Sequence, residues 1–109
     1  MTKRKFVEIK AFQKRVDSED KELLRQIQNE ILKNPEAGDL IESTGGLRKL
    51  RIAGKGKGKS GGYRVIYLDL PAKEKTVLID IYAKGEQENI TSEDKVYMKK
   101  LVTVLKGES

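Results

Sequence analysis

Two β-prone runs set close together constrain this chain more than any other feature. Tyr63–Leu70 (YRVIYLDL) and Thr76–Tyr82 (TVLIDIY) are dominated by aromatic and β-branched residues. Only Pro71–Lys75 separates them. A parallel pair needs a crossover of about a dozen residues or more, so the short link predicts an antiparallel return. The first run is apolar almost without interruption, which predicts a central strand with both faces covered.

The rest of the chain is read around that pair. Phe6–Ile9 alternates apolar and polar residues and predicts a first strand, and Phe12 and Val16 suit a helical turn after it. Asp17–Ser18 offers an N-cap, with Glu19, Asp20 and Glu22 complementing a helix start. Leu24, Ile27 and Ile31, widened by Leu23 and Leu32, form an amphipathic stripe that Asn34–Pro35 and Gly38 bring to a stop. Glu36–Gly46 reads as a polar connection. Leu47–Ala53 reads as a strand with Leu47, Lys49, Arg51 and Ala53 on one face and Arg48, Leu50 and Ile52 on the other. Gly54–Gly62 is a glycine-lysine loop and Ala83–Ile90 a polar turn. Thr91 and Asp94 have capping-box spacing ahead of Met98, Leu101, Val102 and Leu105, which predict a last helix. One domain, residues 1–109, follows: an α+β fold with a small antiparallel sheet and helices packed on one face.

Composition removes several chemistries. The chain has no cysteine, so disulfides and thiolate metal sites are excluded, and no histidine, the commonest general acid–base residue. Any acid–base group must then be Lys, Arg, Tyr, Asp or Glu. The acidic residues show no spacing that argues for a metal or two-carboxylate site, so neither metal nor cofactor is expected. No apolar run approaches the roughly 18 residues that span a bilayer, and the expected compartment is the cytoplasm.

Charge is concentrated in one place. Between Glu42 and Asp69 there is no acidic residue, but there are seven basic ones: Arg48, Lys49, Arg51, Lys55, Lys57, Lys59 and Arg64. The chain carries 23 basic and 17 acidic residues, and setting those seven aside leaves 16 against 17. A concentrated basic patch on a nearly neutral scaffold is the footprint of a polyanion binder. Ala53 to Ser60 fits a relaxed phosphate-loop pattern, but that motif needs a helix to open after the Lys-Ser, and here Gly61-Gly62 and a strand follow. Lys49, Arg51 and Arg64 on neighbouring strands instead make the floor of a groove, flanked by Arg48 and the loop lysines Lys55, Lys57 and Lys59 as backbone-gripping candidates. Salt bridges within the sheet are the plainer alternative, and they would require Asp69, Asp80 or the helices as partners. Tyr82 and Lys84 follow the last strand, and Tyr82 is either a stacking or hydroxyl donor or an ordinary core tyrosine.

A histidine-free basic groove suits one nucleic-acid reaction in particular. RNA is cut by its own 2′-hydroxyl without metal or bound water if the 2′-oxygen is held in line with phosphorus and the phosphorane charge is stabilised. Arginine and lysine meet the second need. Arginine serves poorly as a base, and lysine serves only where burial or positive neighbours loosen its proton.

The segments FVEIKAF, NPEAGD, TGGLRKLRIAGKGKGKSGGYRVIY and IYAKGEQENIT resemble the RelE/ParE superfamily of bacterial toxins, the HigB-like branch in particular, from about Lys5 to Leu105. The resemblance implies a small antiparallel sheet with helices on one face. It implies a ribosome-dependent mRNA interferase that cuts mRNA in the ribosomal A site and is neutralised by a cognate antitoxin. Lys49 and Arg51 match the strand pair at the scissile phosphate, Arg64 the transition-state arginine, and Lys84 a further basic residue after the last strand. Arg48 and the loop lysines then become ribosome contacts. The prototype also uses a tyrosine beyond this point, where ENITS has none, so Tyr82 or Tyr97 would have to substitute or the ribosome would have to supply the assistance. ParE-like members poison DNA gyrase but generally lack the basic cluster. A nucleic-acid-binding module without catalysis is the third reading.

Overall fold

The computed structural model describes residues 4–17, 21–53, 62–83 and 90–107. Its elements are β1 (Lys5–Glu8), α1 (Lys10–Asp17), α2 (Lys21–Lys33), β2 (Asp39–Leu40), β3 (Arg48–Ile52), β4 (Tyr63–Leu70), β5 (Lys75–Ala83) and α3 (Ser92–Gly107). The strands form one sheet in the order β1-β5-β4-β3-β2. The predicted return is the heart of it: β4 and β5 pair antiparallel, from Leu70↔Lys75 out to Tyr63↔Ala83. The link between them is a single 3-10 turn at Pro71–Lys73, closed by Glu74 in the left-handed region at φ 50°. β1 is the exception to the antiparallel pattern and runs parallel to β5, pairing Lys5↔Lys75 through Glu8↔Leu78.

Strand alternation divides the core in two. Leu50, Ile52, Val65, Tyr67, Leu78 and Ile81 pack against Phe12 and Val16 of α1 and Leu23, Ile27 and Ile31 of α2. Leu47, Ile66, Leu68, Leu70, Val77, Ile79 and Tyr82 pack against Met98 and Val102 of α3. The α+β class and the small sheet hold, but the helices are not all on one face. α1 and α2 cover one side and α3 the other. The physical reason lies in β4 and β5 themselves, whose apolar residues point to both sides and must be buried on both. A bulge adds a local twist: Tyr67 pairs with Leu78 but Ile66 with Asp80, so the register skips Ile79.

Other sequence expectations come out with small shifts. The strand expected over Leu47–Ala53 is β3, Arg48–Ile52, with the alternation as read. α1 runs to Asp17, and the rest of the expected Asp17–Ser18 cap lies in residues 18–20, outside the described ones. The capping box at α3 is formed in both directions: the Asp94 N–H donates to Thr91 Oγ1 (3.1 Å) and the Thr91 N–H to Asp94 Oδ2 (3.2 Å). The stretch read as a polar connection, Glu36–Gly46, contains β2, a two-residue edge strand.

Two features fix β3 against its surroundings. Thr44, fully buried, donates from Oγ1 to the Ile41 carbonyl (2.7 Å) and accepts the Leu47 N–H (3.3 Å). This turn brings Gly45, at φ 86°, so close to α3 that a Cβ there would lie 3.2 Å from Val102 Cγ1. Lys106 of α3 then donates to the Gly45 carbonyl at 2.7 Å. At the other end of β3, a Cβ on Gly62 would lie 2.7 Å from the Ile52 carbonyl oxygen, so only glycine lets β4 begin this close to β3.

Candidate nucleic-acid interface

The site is built by register. In β3 and β4, Arg51 lies directly across from Arg64, and in β4 and β5, Arg64 lies across from Tyr82. Two residue pairs along the same ladder, Lys49 lies across from Ile66. Directly opposed residues share a face, and since Leu50, Ile52 and Val65 face α1 and α2, the side chains of Lys49, Arg51 and Arg64 belong to the α3 side. α3 does not close over them: Arg51 is exposed, and Lys49 and Arg64 are half-buried. Three of the predicted basic residues therefore stand together on one sheet face.

The register sets like charges against each other. Directly opposed side chains in an antiparallel pair have Cβ atoms about 4.5–5.5 Å apart, and like charges there are destabilising. The carboxylates that the sequence offered as counter-charges are engaged elsewhere. Asp69 pairs with Arg4 and accepts the Thr76 hydroxyl (3.0 Å). Asp80 lies 3.3 Å from Arg15 Nε on α1. No ion pair holds Lys49 or Arg51 among the described residues.

Other predicted site residues are placed differently. Arg48 is on the opposite face of β3, and its Nη1 donates to the carbonyls of Gly38 (2.7 Å) and Glu36 (3.3 Å). It fastens the α2–β2 connection instead of extending the basic floor; the alternation read from sequence already separated it from Lys49 and Arg51. Tyr82 is 3 % exposed and belongs to the core under α3, so its ring is not a surface for base stacking. Tyr97, the other tyrosine considered, is 68 % exposed on α3. Lys55, Lys57, Lys59 and Lys84 lie outside the described residues.

Tyr67 is a residue the sequence reading did not single out. Its ring is fully buried, yet its hydroxyl reaches the α2–β2 connection, donating to the Pro35 carbonyl (2.7 Å) and accepting the Gly38 N–H (3.1 Å). With Arg48 it clamps Gly38 on both its N–H and its carbonyl. Gly38 in turn lies against β3, where a Cβ would come within 3.0 Å of the Lys49 carbonyl oxygen. Burial pushes the Tyr67 phenol above its ordinary value, outweighing the Gly38 N–H and Arg48, which pull it down. A folded-state value above the unfolded one means the contribution is complete below the unfolded phenol pKa of about 10 and is lost as pH rises through the folded value. Tyr67→Phe is expected to cost about 1–2 kcal/mol at neutral pH, from the orphaned Pro35 and Gly38 groups, and to flatten the alkaline fall in stability. Chemical denaturation at pH 7 and above pH 10 checks both.

No described helix is long and apolar enough to cross a membrane. The model of a family described as the RelE toxin of the RelE/RelB toxin-antitoxin system matches residues 3–109. Two solved structures share the fold. The chain is 19 % identical to one in the intact E. coli RelBE toxin-antitoxin complex, with a TM-score of 0.57, over 78 % of this chain and 100 % of that one. It is 18 % identical to the isolated E. coli RelE toxin, again with a TM-score of 0.57, over 94 % of this chain and 99 % of the other.

Proposed function

The chain belongs to the RelE toxin family, and from that premise we propose that it is a cytoplasmic endoribonuclease that cuts mRNA in the ribosomal A site and is held inactive by a cognate antitoxin. The observation that carries the proposal is the register that sets Arg51 across from Arg64 with Lys49 on the same face. A phosphodiester supplies the negative charge that such a cluster attracts. In the reaction, the 2′-hydroxyl attacks the adjacent phosphorus. The two guanidiniums and the ammonium neutralise the extra charge that develops on the phosphorane oxygens, where fixed cations act most strongly. The ribosome contributes by holding the mRNA in line, which is where much of the rate of an intramolecular attack originates. Residues on strands are held rigidly, and that favours β3 and β4 as the place of cutting.

Brief induced expression is expected to stop protein synthesis before DNA synthesis, and mapped mRNA 5′ ends are expected to fall within codons. Intact mRNA together with inhibited DNA supercoiling would assign the protein to gyrase poisoning. Binding to purified ribosomes without new 5′ ends would leave a non-catalytic module.

A further inference from the structure

The proposed reaction needs a group that accepts the 2′-hydroxyl proton, and the guanidiniums of Arg51 and Arg64 are poor candidates. Arginine holds its proton at every working pH, and an ordinary lysine is almost fully protonated at neutral pH. A carboxylate is the available alternative in a chain without histidine. The sequence segment around the site has none, since Glu42 and Asp69 are the nearest acids on either side of it. The fold supplies one from further away.

β2 pairs antiparallel with β3, and its register sets Asp39 directly across from Lys49. Asp39 therefore lies on the same sheet face as Lys49, Arg51 and Arg64, with its Cβ about 4.5–5.5 Å from that of Lys49. It is exposed on an edge strand. Its position is nonetheless fixed, because the residue before it is held on three sides. Tyr67 accepts from the Gly38 N–H, Arg48 donates to the Gly38 carbonyl, and the Gly38 Cα packs against the β3 backbone. The other carboxylates of the sheet are placed elsewhere: Glu8 is on β1 at the far edge, Asp69 is bound by Arg4, and Asp80 lies beside Arg15.

We infer that Asp39 is the proton acceptor of the site, an assignment that rests on the endoribonuclease reading above. Its carboxylate takes the proton from the 2′-hydroxyl as the 2′-oxygen bonds to phosphorus. The bond from phosphorus to the 5′-oxygen breaks, and that oxygen leaves with a proton from water. The products are a 2′,3′-cyclic phosphate and a 5′-hydroxyl end, and Asp39 returns its proton to solvent. Lys49, beside it, binds a phosphate oxygen.

The test is single-turnover cleavage of mRNA on purified ribosomes by the full chain and its Asp39 variants. Asp39→Asn and Asp39→Ala are expected to slow cleavage about 100-fold or more, the usual scale for a lost general base, with the half-saturating toxin concentration within about twofold of the wild type. Asp39→Glu is expected to cleave faster than Asp39→Asn. Formate is expected to raise the rate of Asp39→Ala saturably, which a structural defect would not allow. Melting temperatures of the variants are expected to match the wild type. An Asp39→Ala protein that cleaves at the wild-type rate, or a slow one that formate does not speed, overturns the assignment while leaving the endoribonuclease reading in place. A wild-type protein that cleaves nothing overturns both.

Discussion

Arg64→Ala is expected to lower the rate of mRNA cleavage on ribosomes by about 10²–10³-fold, the cost of removing one fixed donor from a developing oxyanion. The expectation comes from position. Arg64 is on β4, the central strand of the five, with neighbours Arg51 on one side and Tyr82 on the other. Val65 and Ile66, the next two residues, are buried in opposite cores. The backbone under Arg64 is therefore held by a strand on each side and by both cores. Arg64→Lys is expected to recover only part of the loss, because an ammonium lacks the planar pair of donors that spans two phosphate oxygens. Stability is expected to hold, since the substitution removes one member of a like-charged, directly opposed pair. Unchanged melting together with lost cleavage identifies a residue kept for the phosphate. Cleavage that falls only in proportion to a lowered melting temperature would identify a structural one. Bacterial growth during induced expression gives the same test in cells, where the alanine variant should be tolerated.

How much of this was legible in the sequence depended on how far apart the interacting residues lie. The hairpin of β4 and β5, the stripe of α2, the alternation of β3 and the capping box of α3 are local patterns, each contained within a few turns or one strand pair, and each is present. Lys49, Arg51 and Arg64 were recoverable because one hairpin register joins them. The side of the sheet that α3 covers was not, although the apolar run of β4 already required cover on both faces. That choice is fixed by contacts such as Gly45 with Val102, which no periodicity encodes. Arg48 and Tyr67 show the same limit from the other direction. An arginine in a basic segment reads as part of the patch, and a tyrosine in an apolar strand reads as core. Their polar ends nevertheless meet at Gly38, across 10 and 29 residues of sequence. Tyr82 is the converse case, since its place beside a basic row suggested chemistry while its burial makes it core. Asp39 escaped because β2 is only two residues long and has no apolar alternation to announce it.

The clearest case is the N-terminal basic stretch. Arg4 falls in a short run of basic residues ahead of β1, yet its side chain is 8 % exposed and donates to Asp69 and to Thr76 Oγ1, and Asp69 is itself only 13 % exposed. The cluster ties residue 4 to the paired strands at the end of the sheet away from the basic row, where Asp69 lies across from Thr76. Asp69→Ala is expected to destabilise the fold by about 3–5 kcal/mol, because it leaves the Arg4 guanidinium buried and uncompensated. Arg4→Met with Asp69→Leu is expected to cost much less than Asp69→Ala alone, since no charge then remains to be desolvated. Denaturant unfolding of the three proteins at pH 7 decides the matter. A double variant as unstable as Asp69→Ala would mean that the cluster contributes by its geometry around Thr76 and not by charge compensation. Cleavage by the folded fraction should be unaffected in every case. Asp69 shares the α1/α2 side of β4 with Val65 and Tyr67 and lies at the far end of the ladder from Arg64, so its charge serves Arg4 and not the basic floor.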